Sequence, residues 1–206
     1  MSASTLSSTL RYPGFTSFKT LAPIYYPRRW MRMALIRATL DPAIIAVAPC
    51  PMALNLPPEV QFTFATKTDR GFKYVLVTDF SVRQLRLQDD GTFSTINRDE
   101  VLARPSAEVL RQVWTCSRVK LDPALQVVAL SVLGEGQKVT IKQLVDDLGG
   151  TGEAIRQILA MVAQGVLQIG LEDPLTLSTK VWISTHIPIS ELTRNDFESW
   201  TQGAAI

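Results

Sequence analysis

The carboxylate best placed to take part in catalysis is Asp79, which directly follows the apolar segment from Gly71 to Thr78. A carboxylate at the end of a buried strand can bind Mg²⁺, but one carboxylate seldom holds the ion alone. Glu59 and Asp69 are the other acids that could complete such a site. The alternative, which we favour, is that Asp79 caps a helix or pairs with a nearby arginine.

Other reactive residue types are scarce. The chain has one histidine, His186, and two cysteines, Cys50 and Cys116. This set excludes a disulfide framework and a zinc site of Cys and His ligands, and no Ser or Cys nucleophile motif accompanies His186. The segment GGTGEA at 149–154 lacks the preceding strand and the Lys-Ser/Thr of a P-loop. Its glycines are expected to end one helix and begin another.

Positive charge is concentrated in the first part of the chain. Residues 1–60 hold six basic and two acidic residues and residues 61–120 hold ten and seven, whereas acidic residues outnumber basic ones after Lys120. Because phosphate contacts require Lys and Arg, residues 1–120 are the better candidate for DNA binding. The candidate DNA-binding residues are Arg28, Arg29, Arg32 and Arg37.

The elements that must position these residues differ between the two halves. In the first half, a helix at 27–40, short strands at 44–47 and 52–56, a strand at 71–79 and a helix at 106–114 are predicted, which is a mixed α and β pattern. In the second half, capping signals at Asp122-Pro123, Thr140 and Thr151 each precede an apolar helical stripe. Two alternating segments, 166–169 and 180–184, follow.

Three helices followed by a two-stranded ribbon predict a winged-helix domain. The predicted division is therefore 1–118, 119–190 for the winged helix, and a C-terminal tail at 191–206. The outward positions of the third helix are expected to be Glu153, Arg156, Gln157, Ala160 and Gln164. With one cation and one anion, this surface is a poor reader of DNA, so Arg156 and Gln157 are candidate partner-binding residues.

The tail carries the other candidate contacts. Phe197 and Trp200, with Leu192, form a short apolar pattern in an acidic segment. Two interpretations stay open: these side chains cover the core of the protein itself, or they anchor the tail in a basic groove on a partner.

Several longer phrases resemble TnsA, the endonuclease subunit of heteromeric transposases. They are GFKYVLVTDFSVR at 71–83, INRDEVL at 96–102, TIKQLVDDLG at 140–149, VLQIGLEDPLTLSTKVWI at 166–183, and WMRMALIRATLDPAIIAVAPCPMALNL at 30–56. The resemblance implies an α+β protein, with a restriction-endonuclease-like α/β domain followed by a winged helix. It also implies a metal site made by a Glu in the opening helix, an Asp on a central strand and a Glu/Gln-x-Lys on the next strand.

The chain departs from the family at these catalytic positions. The opening helix contains Arg32 and Arg37 and no Glu, and residues 56–71 are too short for both metal-binding strands. If Asp79 is the metal aspartate, no acid-x-Lys follows it. We therefore expect a reduced nuclease-like domain with an incomplete metal site.

The preferred interpretation is a non-catalytic TnsA-like component of a mobile-element complex, without a cofactor or metal. Its expected partners are DNA and a transposase or a regulatory ATPase. Two alternatives stay open: a metal-dependent DNA endonuclease subunit, which alone would need Mg²⁺, and a winged-helix transcription regulator. Apolar runs are far shorter than the ~20 residues that cross a bilayer. No signal peptide is recognised, so a soluble protein of the cytoplasm without a membrane partner is expected.

Overall fold

The structure of the chain is a computed structural model that describes residues 14–20, 22–50, 56–79, 92–134 and 136–185. These residues form a mixed α and β structure with six α-helices, which confirms the predicted mixture of elements. The first elements in chain order are β1 (Gly14–Phe15), β2 (Ile24–Tyr25), α1 (Met31–Leu40), β3 (Ala46–Pro49), β4 (Val60–Thr68), β5 (Gly71–Thr78) and β6 (Phe93–Asn97).

Strands β3 to β6 make a four-stranded mixed sheet in the order β3-β4-β5-β6. Strand β4 is antiparallel to both of its neighbours, β3 and β5, whereas β6 is parallel to β5. Helix α1 packs on one face of this sheet. Phe64 of β4 and Val77 of β5 are buried there together with Leu35 of α1. A smaller cluster that includes Ala65 and Tyr74 occupies the opposite face.

In the second group of elements, three helices begin at capping residues that the sequence predicts. It consists of α2 (Arg98–Leu102), α3 (Ser106–Thr115), α4 (Pro123–Leu133), β7 (Val139–Thr140), α5 (Ile141–Asp147), α6 (Gly152–Ala163), β8 (Leu167–Ile169) and β9 (Lys180–Ile183). Asp122, Thr140 and Thr151 accept hydrogen bonds from the first turns of α4, α5 and α6, as predicted. Strands β7, β8 and β9 form a small sheet in the order β7-β9-β8.

One hydrophobic cluster crosses the predicted border between the two halves. It joins Leu110 and Val113 of α3 to Ala160 and Met161 of α6, and all four side chains are fully buried. The connection at 119–122 lies on α6 as well, since the Gln164 amide donates to the carbonyl of Val119 at 2.7 Å. The described parts of residues 1–118 and 119–190 therefore share a core.

Helix α4 differs from its predicted orientation. The helical spacing after Pro123 predicts a buried stripe of Leu125, Val128, Ala129 and Val132. Val128 is instead 39% exposed and Val127 is 67% exposed, whereas Ala129 and Leu133 are fully buried. Nearly every residue of this helix is apolar, so its sequence has no polar face that would define the side facing solvent.

The longest helix that the structure describes is α6, with 12 residues. Among the described helices, none combines the length and the apolar character that crossing a bilayer demands.

The end of α6 is locked to the N-terminal segment at Gly165. This glycine has a φ of +81°, and a Cβ at this position would lie 2.4 Å from the ring of Phe18. Both the left-handed backbone and the close approach of Phe18 require glycine here. Gly150 also has a positive φ, +71°, but a Cβ there would meet nothing within 4 Å.

We predict that Gly165→Ala lowers the free energy of unfolding by about 2–4 kcal/mol, because backbone strain and overpacking against Phe18 add. The matched variant Gly150→Ala has only the backbone strain and should lose about 1–2 kcal/mol. Urea denaturation of the full chain measures both. Equal losses in the two variants would contradict the close approach of Phe18.

Lys19 is a buried cation at the C-terminal end of α1. It is 2% exposed, and its Nζ donates to the backbone carbonyl of Asp41 at 2.6 Å. Burial lowers the pKa of Lys19 from 10.5 to about 8, and the Asp41 carboxylate opposes this by raising it. Below that value, the folded protein bears the cost of a buried charge.

The stability should consequently depend on pH through Lys19. Between about pH 8 and 10.5, Lys19 keeps its proton in the unfolded chain but has released it in the folded protein. Titration of Lys19 therefore makes the free energy of unfolding rise with pH, by at most about 1.4 kcal/mol per pH unit. We predict that the stability of Lys19→Met relative to the natural chain decreases as the pH is raised from 7 to 10. The exposed-lysine control Lys142→Met should show a constant difference, and a constant difference for Lys19→Met would contradict the burial of a charge.

Candidate functional site

The antiparallel pairing of β4 and β5 brings two acids to one end of the sheet. Val60 pairs with Thr78, so Glu59 and Asp79 both lie just beyond that pair. Asp69 lies in the tight turn at the other end of the same two strands. Of the three acids that could have formed a metal site, the fold therefore groups Glu59 with Asp79 and separates Asp69 from both.

Asp79 is held by two side chains from different elements. Its Oδ2 accepts a hydrogen bond from Arg28 Nη1 at 2.6 Å and another from Gln61 Nε2 at 2.6 Å. Gln61 is in position because the register between β4 and β5 shifts between Val60 and Phe62. The other oxygen, Oδ1, is buried and has no hydrogen-bond partner.

The Arg28 to Asp79 contact is an ion pair between an exposed arginine and a half-buried aspartate. The Arg28 side chain is 53% exposed and the Asp79 side chain is 12% exposed. A buried carboxylate is stable when a cation compensates its charge, and Arg28 fills this role. A metal ion at Oδ2 would have to displace the guanidinium. The structure therefore contains one of the two arrangements that we favoured, an ion pair between Asp79 and a nearby arginine, Arg28.

The residues that could hold a metal in this region are Asp79 and Glu59. Across the described ranges, no group of three or more His, Cys, Asp or Glu side chains is arranged to bind an ion. Cys50 is half-buried and Cys116 is buried, and no disulfide joins the two. Glu59 itself is exposed in the turn that precedes β4.

The four arginines expected to bind DNA do not form one surface. Arg28 is engaged by Asp79, and Arg37 donates to the carbonyl of Glu100 at 3.3 Å on another side of α1. Arg29 and Arg32 are exposed. All four lie in one segment of the sequence, but Arg28 and Arg29 precede α1. Arg32 and Arg37 are five residues apart on α1, so the helix turns these two in different directions.

Arg32 lies beside two basic residues that were not among the sequence candidates, Arg111 of α3 and Arg118 just after it. Two adjoining cavities, of about 460 Å³ and about 410 Å³, share Arg32, Trp114, Ser117 and Arg118 in their walls. We call this feature the arginine groove. Arg111 and Arg118 are seven residues apart, a spacing that would place them on one side of a helix continued past Thr115, and this was the only signal in the sequence.

The third helix of the second half, α6, has little of the exposed face that was expected. Gln157 is 5% exposed and Ala160 is 0% exposed, so the prediction that they face outward is wrong. Gln157 accepts from the backbone N–H of Asp122 at 3.1 Å and donates to the carbonyl of Lys120 at 3.3 Å. The connection at 119–122 covers this side of the helix.

Arg156 remains exposed near the start of α6, where it lies 3.8 Å from Glu153. Its side chain is 62% exposed, so it remains accessible to a partner. The remaining candidates, Phe197 and Trp200 with Leu192, lie outside the described residues, as does His186.

We predict that Arg28→Ala lowers the free energy of unfolding by about 1–2 kcal/mol, because it leaves the half-buried Asp79 carboxylate without its cation. This loss is smaller than for a fully buried pair, since the Arg28 side chain is exposed. The neighbouring control Arg29→Ala should change stability by less than about 0.5 kcal/mol. Adding Asp79→Asn to Arg28→Ala should restore part of the loss. Denaturant titration measures all three variants, and similar effects for Arg28→Ala and Arg29→Ala would show that the pair does not matter.

Comparison of the chain with protein-family models, with curated proteins and with solved structures found no match.

Proposed function

We propose that the protein is a non-catalytic, TnsA-like component of a transposition complex, which binds the DNA backbone and contacts a transposase or a regulatory ATPase. The observation that carries the proposal is the state of Asp79. The carboxylate best placed for metal-dependent cleavage accepts hydrogen bonds from Arg28 and Gln61 through the same oxygen. Nuclease chemistry instead needs carboxylates that share a metal ion and a lysine near the scissile phosphate.

The order of elements supports the two modules of the proposal. Helix α1, the antiparallel strands β3, β4 and β5, and the parallel strand β6 are compatible with a reduced restriction-endonuclease-like sheet. The order α4, β7, α5, α6, β8 and β9, with β9 between β7 and β8, is compatible with a winged helix. The proposed domain boundaries are those expected from the sequence, with a shared core between the modules.

Partner contact is the proposed role of the second module. The packing of α6 against α3 and the connection at 119–122 argues against insertion of this helix into a DNA groove, because base readout needs an exposed helix face. This makes a winged-helix transcription regulator the weaker interpretation. Arg156, at the exposed start of α6, is a proposed contact with the partner.

The endonuclease remains the second candidate function because one observation favours it. Asp79 Oδ1 is buried without a hydrogen-bond partner, and Glu59 lies at the same end of β4 and β5. An unsatisfied buried carboxylate oxygen has a free lone pair with which it could coordinate a cation. In this alternative, Mg²⁺ would be held by Asp79 and Glu59.

The proposal predicts that purified full-length protein leaves supercoiled plasmid uncut in the presence of Mg²⁺ or Mn²⁺. It also predicts weak binding to DNA duplexes of unrelated sequence, with an affinity that falls steeply with salt. Gel electrophoresis and fluorescence anisotropy measure the two properties.

A nicking activity that disappears in Asp79→Ala and persists in Asp69→Ala would establish the endonuclease instead. The Asp69→Ala protein, purified in the same way, controls for a contaminating nuclease. Absence of DNA binding by the natural chain at low salt would remove the DNA part of the proposal.

A further inference from the structure

The arginine groove brings three arginines together at the surface of the described residues. We propose that it holds the sugar-phosphate backbone of DNA, with Arg32, Arg111 and Arg118 contacting phosphate groups. This inference rests on the proposed function and deepens it, since it assigns the DNA contact to a site that includes only one of the four arginines expected from the sequence.

Two elements that are distant in sequence build the groove. Arg32 comes from the exposed side of α1, and Arg111 and Arg118 come from α3 and the turn that follows it. The segment from Gly14 to Phe18 closes one side of it. Trp114 forms the floor, where it is 9% exposed and stacked on Phe15 with ring centroids 5.3 Å apart.

The charge of the groove is unbalanced. The walls of its two cavities contain three arginines and no aspartate or glutamate. Within the part of the chain that the structure describes, none of the three arginines forms an ion pair. Guanidinium groups that gather without counter-ions repel one another, and binding an anion relieves this repulsion. Arginine also matches phosphate geometry with two parallel hydrogen bonds.

The shape of the site favours a chain of phosphates over a single anion. The two cavities adjoin through Arg32, Trp114, Ser117 and Arg118, so the basic surface continues from one to the other. Bases are not expected to be recognised here, because Trp114 is 9% exposed and stacked on Phe15, which leaves little accessible ring surface for stacking on a base. Backbone contact without base contact gives sequence-tolerant binding.

The test uses the full chain with Arg32→Ala and Arg118→Ala combined, titrated into two labelled duplexes of unrelated sequence from 50 to 200 mM salt. The matched control combines Arg70→Ala and Arg104→Ala, which removes the same charge from exposed positions outside the groove. A third variant, Arg32→Lys with Arg118→Lys, keeps the charge in place. Thermal melting of each variant checks that it is folded.

We expect the groove double variant to bind both duplexes at least about tenfold more weakly at low salt, with a salt slope reduced by about two. The control should stay within about twofold of the natural chain, and the lysine variant should keep most of its salt slope. If the groove variant and the control lose DNA affinity equally, or if the lysine variant loses its salt slope, the arginine groove is not the DNA site, and the proposed function still stands. No binding by the natural chain would overturn the groove together with the DNA part of the proposed function.

Discussion

The packing of α3 against α6 is the contact on which the remaining structure depends. It merges the sheet of the first half and the helices of the second half into one hydrophobic cluster. Because Phe18 lies against Gly165, the N-terminal segment is attached to the same junction. Removing either half would expose a large apolar surface to water, so the two halves are expected to stabilise each other. A fragment of residues 119–190 would lack this cover.

This junction also determines which surfaces can act. It buries the side of α6 that a DNA-reading helix would present, since Gln157 binds the backbone of the connection at 119–122. Helix α3 also packs against α1, which places Arg32 beside Arg111 and Arg118. Helix α3 therefore both helps to cover α6 and forms part of the arginine groove.

The Asp79 cluster combines two acids with a cation from a distant segment. The ends of β4 and β5 bring Glu59 and Asp79 to one end of the sheet, and Arg28 pairs with Asp79 from the segment before α1. Because Asp79 is half-buried, leaving its charge without this cation would be costly. The lone buried Oδ1 marks the point where the cluster is incompletely satisfied. It is also the feature that keeps the endonuclease as the second candidate.

The sequence by itself determined the helix starts of the second half and the mixture of α and β elements. These features are local: the side chains of Thr140 and Gln143, three residues apart, each accept a hydrogen bond from the other residue's backbone N–H. Only the tertiary structure decided the roles of Arg28, Gln157 and the arginine groove. Arg28 and Asp79 are 51 residues apart, and Gln157 and Asp122 are 35 apart. Local periodicity carries no information about which distant segment covers a helix face, because that depends on how all the apolar surfaces pack together.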